Sequence, residues 1–181
     1  MAPTTSLLTW EDFAALPQDD MHHELIEGEH QALPAVKSRQ AFIARMCWKY
    51  LFPMQECAHI CAFAEAGFRL PGELPTWIQP DVSVLTRERM TSTPLDEDYY
   101  YAPELAVEVF SQSEKPRDLQ RKIELLLASG SLAVWVIYPK TQTVKVHLPN
   151  GKTYTRGVDE SLTFPELLPD WQLPVAKIFE E

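Results

Sequence analysis

The chain has 181 residues, of which 45% are hydrophobic, which is enough for one well-buried domain and short for two. No run of about 18 apolar residues occurs, so we expect no membrane span. The first residues, Met1 to Leu8, lack the basic and long apolar regions of a signal peptide, and a cytoplasmic location is therefore expected. The formal net charge of −10 argues against avid nonspecific binding to nucleic acid, because affinity for DNA comes largely from lysine and arginine.

Clustering of the cations can nevertheless leave one face basic. Two groups are close in sequence, namely Lys37, Arg39, Arg45 and Lys49, and Lys115, Arg117, Arg121 and Lys122.

Three cysteines are an odd number, which does not indicate a disulfide framework. Cys57 and Cys61 flank His59 at a spacing atypical of zinc sites, and no fourth ligand is evident.

The first third of the chain predicts two helices around a hairpin. Thr9 and Asp12 form a capping-box pattern before a short helix, Trp10 to Leu16, which stops at Pro17. Glu27-Gly28 is a tight-turn pair between the strand-like segments Glu24–Ile26 and Glu29–Leu33. Apolar residues then recur at three and four from Ser38 to Phe52, which predicts an amphipathic helix.

The middle of the chain predicts two strands joined to a long polar segment. Ala58 to Leu70 alternates weakly and predicts a strand with a bulge near Gly67. Gln79 to Leu85 predicts a strand entered through a proline, with Asp81 at its mouth. A short helix is expected near Thr86 to Met90. For the tyrosines at 99–101, packing at a domain surface or dimer seam is favoured over stacking on bases.

The segment Glu104 to Phe110 predicts a strand that carries a glutamate among apolar residues. Leu105, Val107 and Val109 share one face of this strand, and Glu108 lies on the other. A buried carboxylate without a partner would cost several kcal/mol, so a compensating group is expected.

The helix predicted from Lys115 to Ser129 supplies that group. At about 100° per residue, Lys122 falls on the apolar arc, as does Asp118 one turn earlier. The other charged residues of the helix lie on the opposite side. A simpler explanation is an exposed ion pair between Asp118 and Lys122, which would contribute only about 0.3–0.5 kcal/mol.

The last third predicts further strands and an irregular tail. Leu132 to Tyr138 is expected to be a central strand buried on both faces. Hairpins should follow through Thr143–Leu148 and, after Asn150-Gly151, Thr153–Thr155. The three prolines between 162 and 179 predict a wrapping tail without regular structure before Val175. Together these elements predict a single α/β domain over residues 1–181, with a mixed central β-sheet flanked by helices.

Two acids on neighbouring strands and an inward lysine suit chemistry on phosphodiesters. Carboxylates are hard oxygen ligands for Mg²⁺, and a lysine stabilises charge that develops on phosphorus. Several short motifs occur in one order, namely Glu24 to Glu29, Pro80-Asp81, Glu108-Val109, Ser111 to Ser113, Arg117-Asp118, Lys122, Trp135-Val136-Ile137 and Ile178-Phe179. In this order and spacing the chain resembles the PD-(D/E)XK nuclease superfamily, and most of all its restriction endonuclease-like branch.

The resemblance implies a Mg²⁺-dependent DNA endonuclease, with Mn²⁺ as a substitute metal. It assigns Asp81, Glu108 and the carbonyl of Val109 to the metal, and adds Lys122 and Glu24 as catalytic residues. Asp118 would position Lys122. The superfamily places its lysine two residues after the second acid, where this chain has Phe110, but Lys122 matches the position used in the branch it resembles.

Some alternatives remain open from the sequence. Glu27 is a second candidate for the third acid. A homodimer is expected because a double-strand cut needs two sites. The acidic net charge also agrees with a non-catalytic nucleic-acid-binding or assembly module that keeps the nuclease fold, and a third possibility is a hydrolase of other phosphoesters.

Overall fold

The computed structural model describes residues 7–17, 19, 21–33, 37–56, 59–112 and 114–180. Its helices are α1 (Trp10–Ala14), α2 (Ser38–Leu51), α3 (Arg87–Ser92), α4 (Pro116–Ala128) and α5 (Ala176–Phe179), with a 3₁₀ turn at Phe52–Gln55. The first strands are β1 (His22–Ile26), β2 (Glu29–Leu33), β3 (Ile60–Ala64), β4 (Phe68–Arg69), β5 (Trp77–Ile78) and β6 (Val82–Thr86). The later strands are β7 (Leu105–Val109), β8 (Ala133–Tyr138), β9 (Thr143–His147), β10 (Thr153–Arg156), β11 (Ser161–Phe164) and β12 (Leu168–Pro174).

A mixed six-stranded sheet forms the centre of the molecule, in the order β10-β9-β8-β7-β6-β3. Strands β7 and β8 are parallel and connected through α4, whereas the other neighbours in this sheet are antiparallel. Every residue of β7 is buried, as the dense apolar pattern of this segment requires. This is the α/β fold with a mixed central sheet that the sequence predicts.

Alternate residues of the central strands face two different layers. Leu105, Val107 and Val109 pack with α2, α5 and the hairpin of β11 and β12 on one face. Ala106 of the same strand faces α4 and a smaller antiparallel sheet, ordered β2-β1-β5-β4. Glu108 therefore points toward the layer that holds α4 and β1, which is the placement that matters for the site.

Several local predictions are confirmed. Thr9 and Asp12 close a capping box on α1, with the Thr9 amide 2.9 Å from Asp12 Oδ2. The β1–β2 turn has positive φ at Glu27 and Gly28, +50° and +80°, which is the geometry that two-residue hairpins favour. Among the residues described here, no helix is long and apolar enough to cross a membrane.

The prediction of one bulged strand from 58 to 70 is wrong for its described residues, 59–70. Strand β3 pairs with β6 in the central sheet, whereas β4 pairs with β5 in the smaller sheet. Between them Glu65 has a φ of +53°, and the chain turns from one sheet to the other. A Cβ on Gly67 would lie 2.3 Å from Cζ2 of Trp77, so this glycine permits a close approach rather than a bulge.

The prediction of an irregular tail is also wrong, because residues 161–174 form a two-stranded hairpin. Strands β11 and β12 make a separate two-stranded sheet with an irregularity between Thr163 and Phe164. Both of its strands are edges, which is where a sheet tolerates prolines. The burial of Leu162, Phe164 and Leu173 against the central sheet stabilises the hairpin. These contacts join segments that are distant in sequence, so local sequence patterns do not predict them.

The tyrosines divide between packing and exposure. Tyr99 stacks on Phe68 with ring centroids 5.3 Å apart, and the Tyr101 hydroxyl donates to the Arg89 carbonyl at 2.7 Å. Tyr100 is exposed.

Cys47 and Cys61 are buried free thiols, while Cys57 lies outside the described residues, as does Ser113 of the motif series.

Candidate active site

Asp81 lies at the mouth of β6, where the sequence predicts it. The antiparallel register pairs Val82 with Val107, so one further step along both strands brings Asp81 opposite Glu108. The Val109 amide donates to Asp81 Oδ2 at 2.6 Å. This bond fixes the carboxylate at the end of β7.

Lys122 reaches Glu108 from the middle of α4. Its ammonium lies 3.0 Å from both carboxylate oxygens of Glu108, and the contact to Oε2 is a hydrogen bond. Oε1 is close enough for an ion pair but accepts no hydrogen bond from the described residues. Lys122 is 3% exposed and Glu108 is 7% exposed, so this is a buried pair and not the exposed Asp118–Lys122 pair of the simpler explanation.

Glu24, rather than Glu27, is the acid that joins the cluster. The Glu24 side chain is buried on β1, and its Oε1 lies 2.7 Å from Lys122 Nζ. The Gln79 amide donates to the same oxygen at 2.9 Å. Glu27 lies in the turn beyond β1 and forms an ion pair with Arg121 at the surface. The difference arises because Glu24 lies within β1, where its side chain is buried, whereas Glu27 lies in the turn after this strand.

Asp118 does not contact Lys122 in the way that helical spacing predicts. No hydrogen bond or ion pair connects these two described side chains, because the ammonium points toward Glu24 and Glu108 instead. Asp118 is half-buried and lines a surface cleft with Arg117. The contacts therefore do not indicate that Asp118 holds Lys122 directly.

Two residues near the site gave no sequence signal. Gln40 of α2 donates from Nε2 to the Val109 carbonyl at 3.2 Å. Glu114, in the loop before α4, is close enough to Lys122 for their charges to interact. Gln40 precedes Val109 by 69 residues, and only the packing of α2 on the sheet brings the two together.

The electrostatics of the cluster differ from one carboxylate to the next. Burial raises the pKa of Glu108 well above its ordinary value, and Lys122 only partly offsets this effect because Asp81 and Glu24 are also nearby. Burial likewise raises the pKa of Asp81. Burial opposes ionisation of Glu24 too, but Lys122 and the bonds from His22 and Gln79 lower its pKa to about 2. The Lys122 ammonium thus compensates the charge of Glu24, but it does not fully compensate the charges of Glu108 and Asp81.

The donor atoms suit a divalent cation. If all three acids ionise, Lys122 leaves the cluster with two uncompensated negative charges, which a divalent ion would balance. In the described part of the chain, no group of three His, Cys, Asp or Glu side chains is arranged to hold a metal ion. The Lys122 ammonium contacts both Glu24 and Glu108. Asp81, Glu108 and the Val109 carbonyl are instead two carboxylates and a carbonyl, and Mg²⁺ is commonly held by one or two carboxylates with substrate oxygens.

Two carboxylates at the ends of neighbouring strands in a mixed sheet, with a lysine that reaches them from the following helix, define a restriction endonuclease-like protein of the PD-(D/E)XK type. A family model described as "Uma2: Putative restriction endonuclease" matches residues 10–176. The chain belongs to the Uma2 family. The resemblance noted from the sequence motifs is thereby confirmed.

One solved structure shows the same fold over almost the whole chain. It is the crystal structure of a putative nuclease belonging to DUF820 from Anabaena variabilis ATCC 29413. The two chains share 22% sequence identity with a TM-score of 0.83, and the match covers 95% of this chain and 97% of the other. At that identity the likeness establishes the fold alone. Comparison with curated proteins gives no match.

Proposed function

We propose that the protein is a metal-dependent DNA endonuclease that hydrolyses phosphodiester bonds. The observation that carries the proposal is the buried Lys122, which forms ion pairs with Glu24 and Glu108 beside Asp81. Buried ion pairs contribute little to stability when compared with well-packed apolar side chains. A cluster of this kind, with excess negative charge, is better explained by chemistry than by folding.

Mg²⁺ is the proposed metal, and Mn²⁺ is expected to substitute for it. Asp81, Glu108 and the Val109 carbonyl would hold the ion, which when bound polarises a phosphoryl oxygen and lowers the pKa of a coordinated water. The Val109 amide orients Asp81 and the Gln40 amide orients the Val109 carbonyl, so both ligands are positioned by bonds already present.

Lys122 and Glu24 act as a pair in this proposal. The Lys122 ammonium stabilises negative charge that develops on the phosphoryl oxygens as the bond breaks. Glu108 and Glu24 hold the ammonium in place. Burial lowers the pKa of Lys122, but the negative charges of Glu108 and Glu24 raise it above its ordinary value, so the ammonium stays protonated. Asp118, one turn before Lys122, is retained as a supporting residue through its charge and not through contact.

Plasmid cleavage tests the proposal. Supercoiled DNA is incubated with wild type and Glu108→Gln in Mg²⁺, in Mn²⁺ and in chelator. The matched control is Glu104→Gln, because Glu104 is also buried and ion-paired, with Arg89 at 2.7 Å, but at the opposite end of β7. We expect metal-dependent nicking in wild type and the control, and none in Glu108→Gln. An active Glu108→Gln protein would refute the assignment.

A non-catalytic nucleic-acid-binding or assembly module is the second candidate, and the net charge of −10 agrees with its assembly form. Retained Mn²⁺ affinity without cleavage of any nucleic acid would support that candidate.

The cytoplasmic location and the homodimer also stay proposals. Light scattering of the purified chain tests the dimer.

A further inference from the structure

A groove of about 700 Å³ opens beside the candidate active site. It lies between the start of α2, the loop after β7 and the turn after β8. We call it the basic groove, and its lining comprises Lys37, Arg39, Gln40, Phe110, Ser111, Gln112, Glu114, Pro116, Tyr138, Pro139, Lys140 and Thr141. Its volume is in the range of pockets that hold small ligands or a single nucleotide.

The charge of this groove is opposite to that of the chain. Three cations line it, Lys37, Arg39 and Lys140, against the single acid Glu114. Burial raises the pKa of Glu114 to about 7, so its negative charge is reduced near neutrality. The smaller cleft beside α4 has four acids and two arginines in its lining. On a chain with a net charge of −10, a basic surface of this kind indicates a phosphate-bearing ligand.

Two aromatic residues are part of the lining of the groove. Phe110 and Tyr138 have ring centroids 5.3 Å apart and an interplanar angle of 42°. Both rings are half-buried, so each keeps some surface toward the groove. An aromatic ring between cations is the arrangement by which proteins hold an unstacked base and its flanking phosphates.

The basic groove adjoins the candidate metal ligands at Val109. Phe110 follows Val109 directly, and its amide donates to the Ile137 carbonyl at 2.9 Å. Gln40 lines the groove and donates to the Val109 carbonyl. Arg39 donates to the Pro139 carbonyl at 3.4 Å, which ties α2 to the turn after β8. A strand whose phosphate reaches Glu108 and Lys122 can therefore continue into this groove.

We propose that the basic groove binds the DNA strand next to the scissile phosphodiester, with one unstacked base against Phe110 and Tyr138 and the backbone phosphates at Lys37, Arg39 and Lys140. This inference rests on the proposed function and specifies where its substrate lies. The groove is thus a site for single-stranded or locally opened DNA.

The first test measures binding in chelator, where cleavage does not occur. Fluorescence anisotropy with a labelled single-stranded oligonucleotide compares wild type, Arg39→Ala and Lys140→Ala across a salt series. The controls are Arg45→Ala, an exposed arginine on the same helix outside the groove, and Lys152→Ala, an exposed lysine in the turn between β9 and β10. We expect each groove variant to reduce the slope of log affinity against log salt by about 0.7, and the controls to leave it unchanged.

The second test addresses the base. Phe110→Leu and Tyr138→Leu keep apolar volume and remove the ring face. We expect the affinity for the same oligonucleotide to fall about tenfold or more, as base stacking on aromatic residues predicts. The thermal unfolding midpoints of these variants show whether each still folds, and the charge variants test the groove independently because their side chains are exposed.

The outcomes separate the groove from the nuclease proposal. Groove-dependent binding without plasmid cleavage in any metal would support the groove and refute the nuclease. Metal-dependent cleavage with unchanged binding in all groove variants would support the nuclease and overturn the groove. Equal losses in Arg39→Ala and Arg45→Ala, or no binding by wild type, would also overturn the groove.

Discussion

Replacing Lys122 by methionine removes the ammonium from the acidic cluster and keeps an unbranched apolar chain of nearly the same length. Breaking a buried ion pair by removing one partner typically costs about 3–5 kcal/mol. The Glu24 pKa agrees with this size, because burial opposes its ionisation and yet the pKa falls from 4.5 to about 2. A shift of that size corresponds to about 3 kcal/mol. We therefore expect Lys122→Met to lower the free energy of unfolding by about 3 kcal/mol at neutral pH.

The loss should depend on pH. In wild type the folded pKa of Glu24 is below its unfolded value, so its stabilising contribution is present above about pH 4.5 and is lost as the pH falls toward 2. Without the ammonium, burial raises the pKa of Glu24 and raises that of Glu108 further. A carboxyl with a raised folded pKa is tolerated when protonated and destabilises when it ionises. The variant should therefore lose stability as the pH rises from about 5 to about 8.

Urea unfolding followed by circular dichroism measures both effects. Lys115→Met is the matched control, since Lys115 is exposed immediately before the same helix. The control should change the free energy of unfolding by no more than about 0.5 kcal/mol at either pH. A loss below about 1 kcal/mol in Lys122→Met, with no dependence on pH, would show that the ammonium does not compensate the buried carboxylates.

Three further predictions concern other parts of the chain. Gly67→Ala should destabilise the protein by about 1–3 kcal/mol in chemical denaturation, because its Cβ would lie 2.3 Å from Trp77 Cζ2; a neutral variant would mean that the ring moves freely. Thr9→Ala should lose about 1 kcal/mol by removing the capping box with Asp12, read as a lower unfolding midpoint. Glu114→Gln should stabilise the protein above pH 7 and not near pH 4.5, because burial raises the Glu114 pKa to about 7; equal effects at both pH values would contradict the shift.

Much of the site was predictable because its signals are local. A glutamate in the middle of a buried strand requires compensation, and helical periodicity alone places Lys122 on the inward face of α4. The strand mouth at Asp81 follows from the proline and the apolar run after it. These inferences depend on the spacing of residues within segments of about ten residues, and this spacing can be read from the sequence.

Other features depend on contacts between distant segments. Helical spacing predicts a pair between Asp118 and Lys122, but the ammonium contacts Glu24, almost 100 residues earlier, because β1 packs beside α4. The position of Gln40 on the Val109 carbonyl has the same origin. The hairpin of β11 and β12 forms despite its prolines because its apolar face is covered by the central sheet.

By itself the sequence determined the class of the fold, the central strands with their acids, and the inward lysine, since hydrophobic periodicity and turn chemistry act over short distances. The tertiary structure alone decided that Glu24 and not Glu27 completes the cluster, that residues 60–69 divide between two sheets, and that the basic groove adjoins the site. These outcomes follow from which surfaces bury each other, and burial sets both the partners and the pKa values of the charged groups.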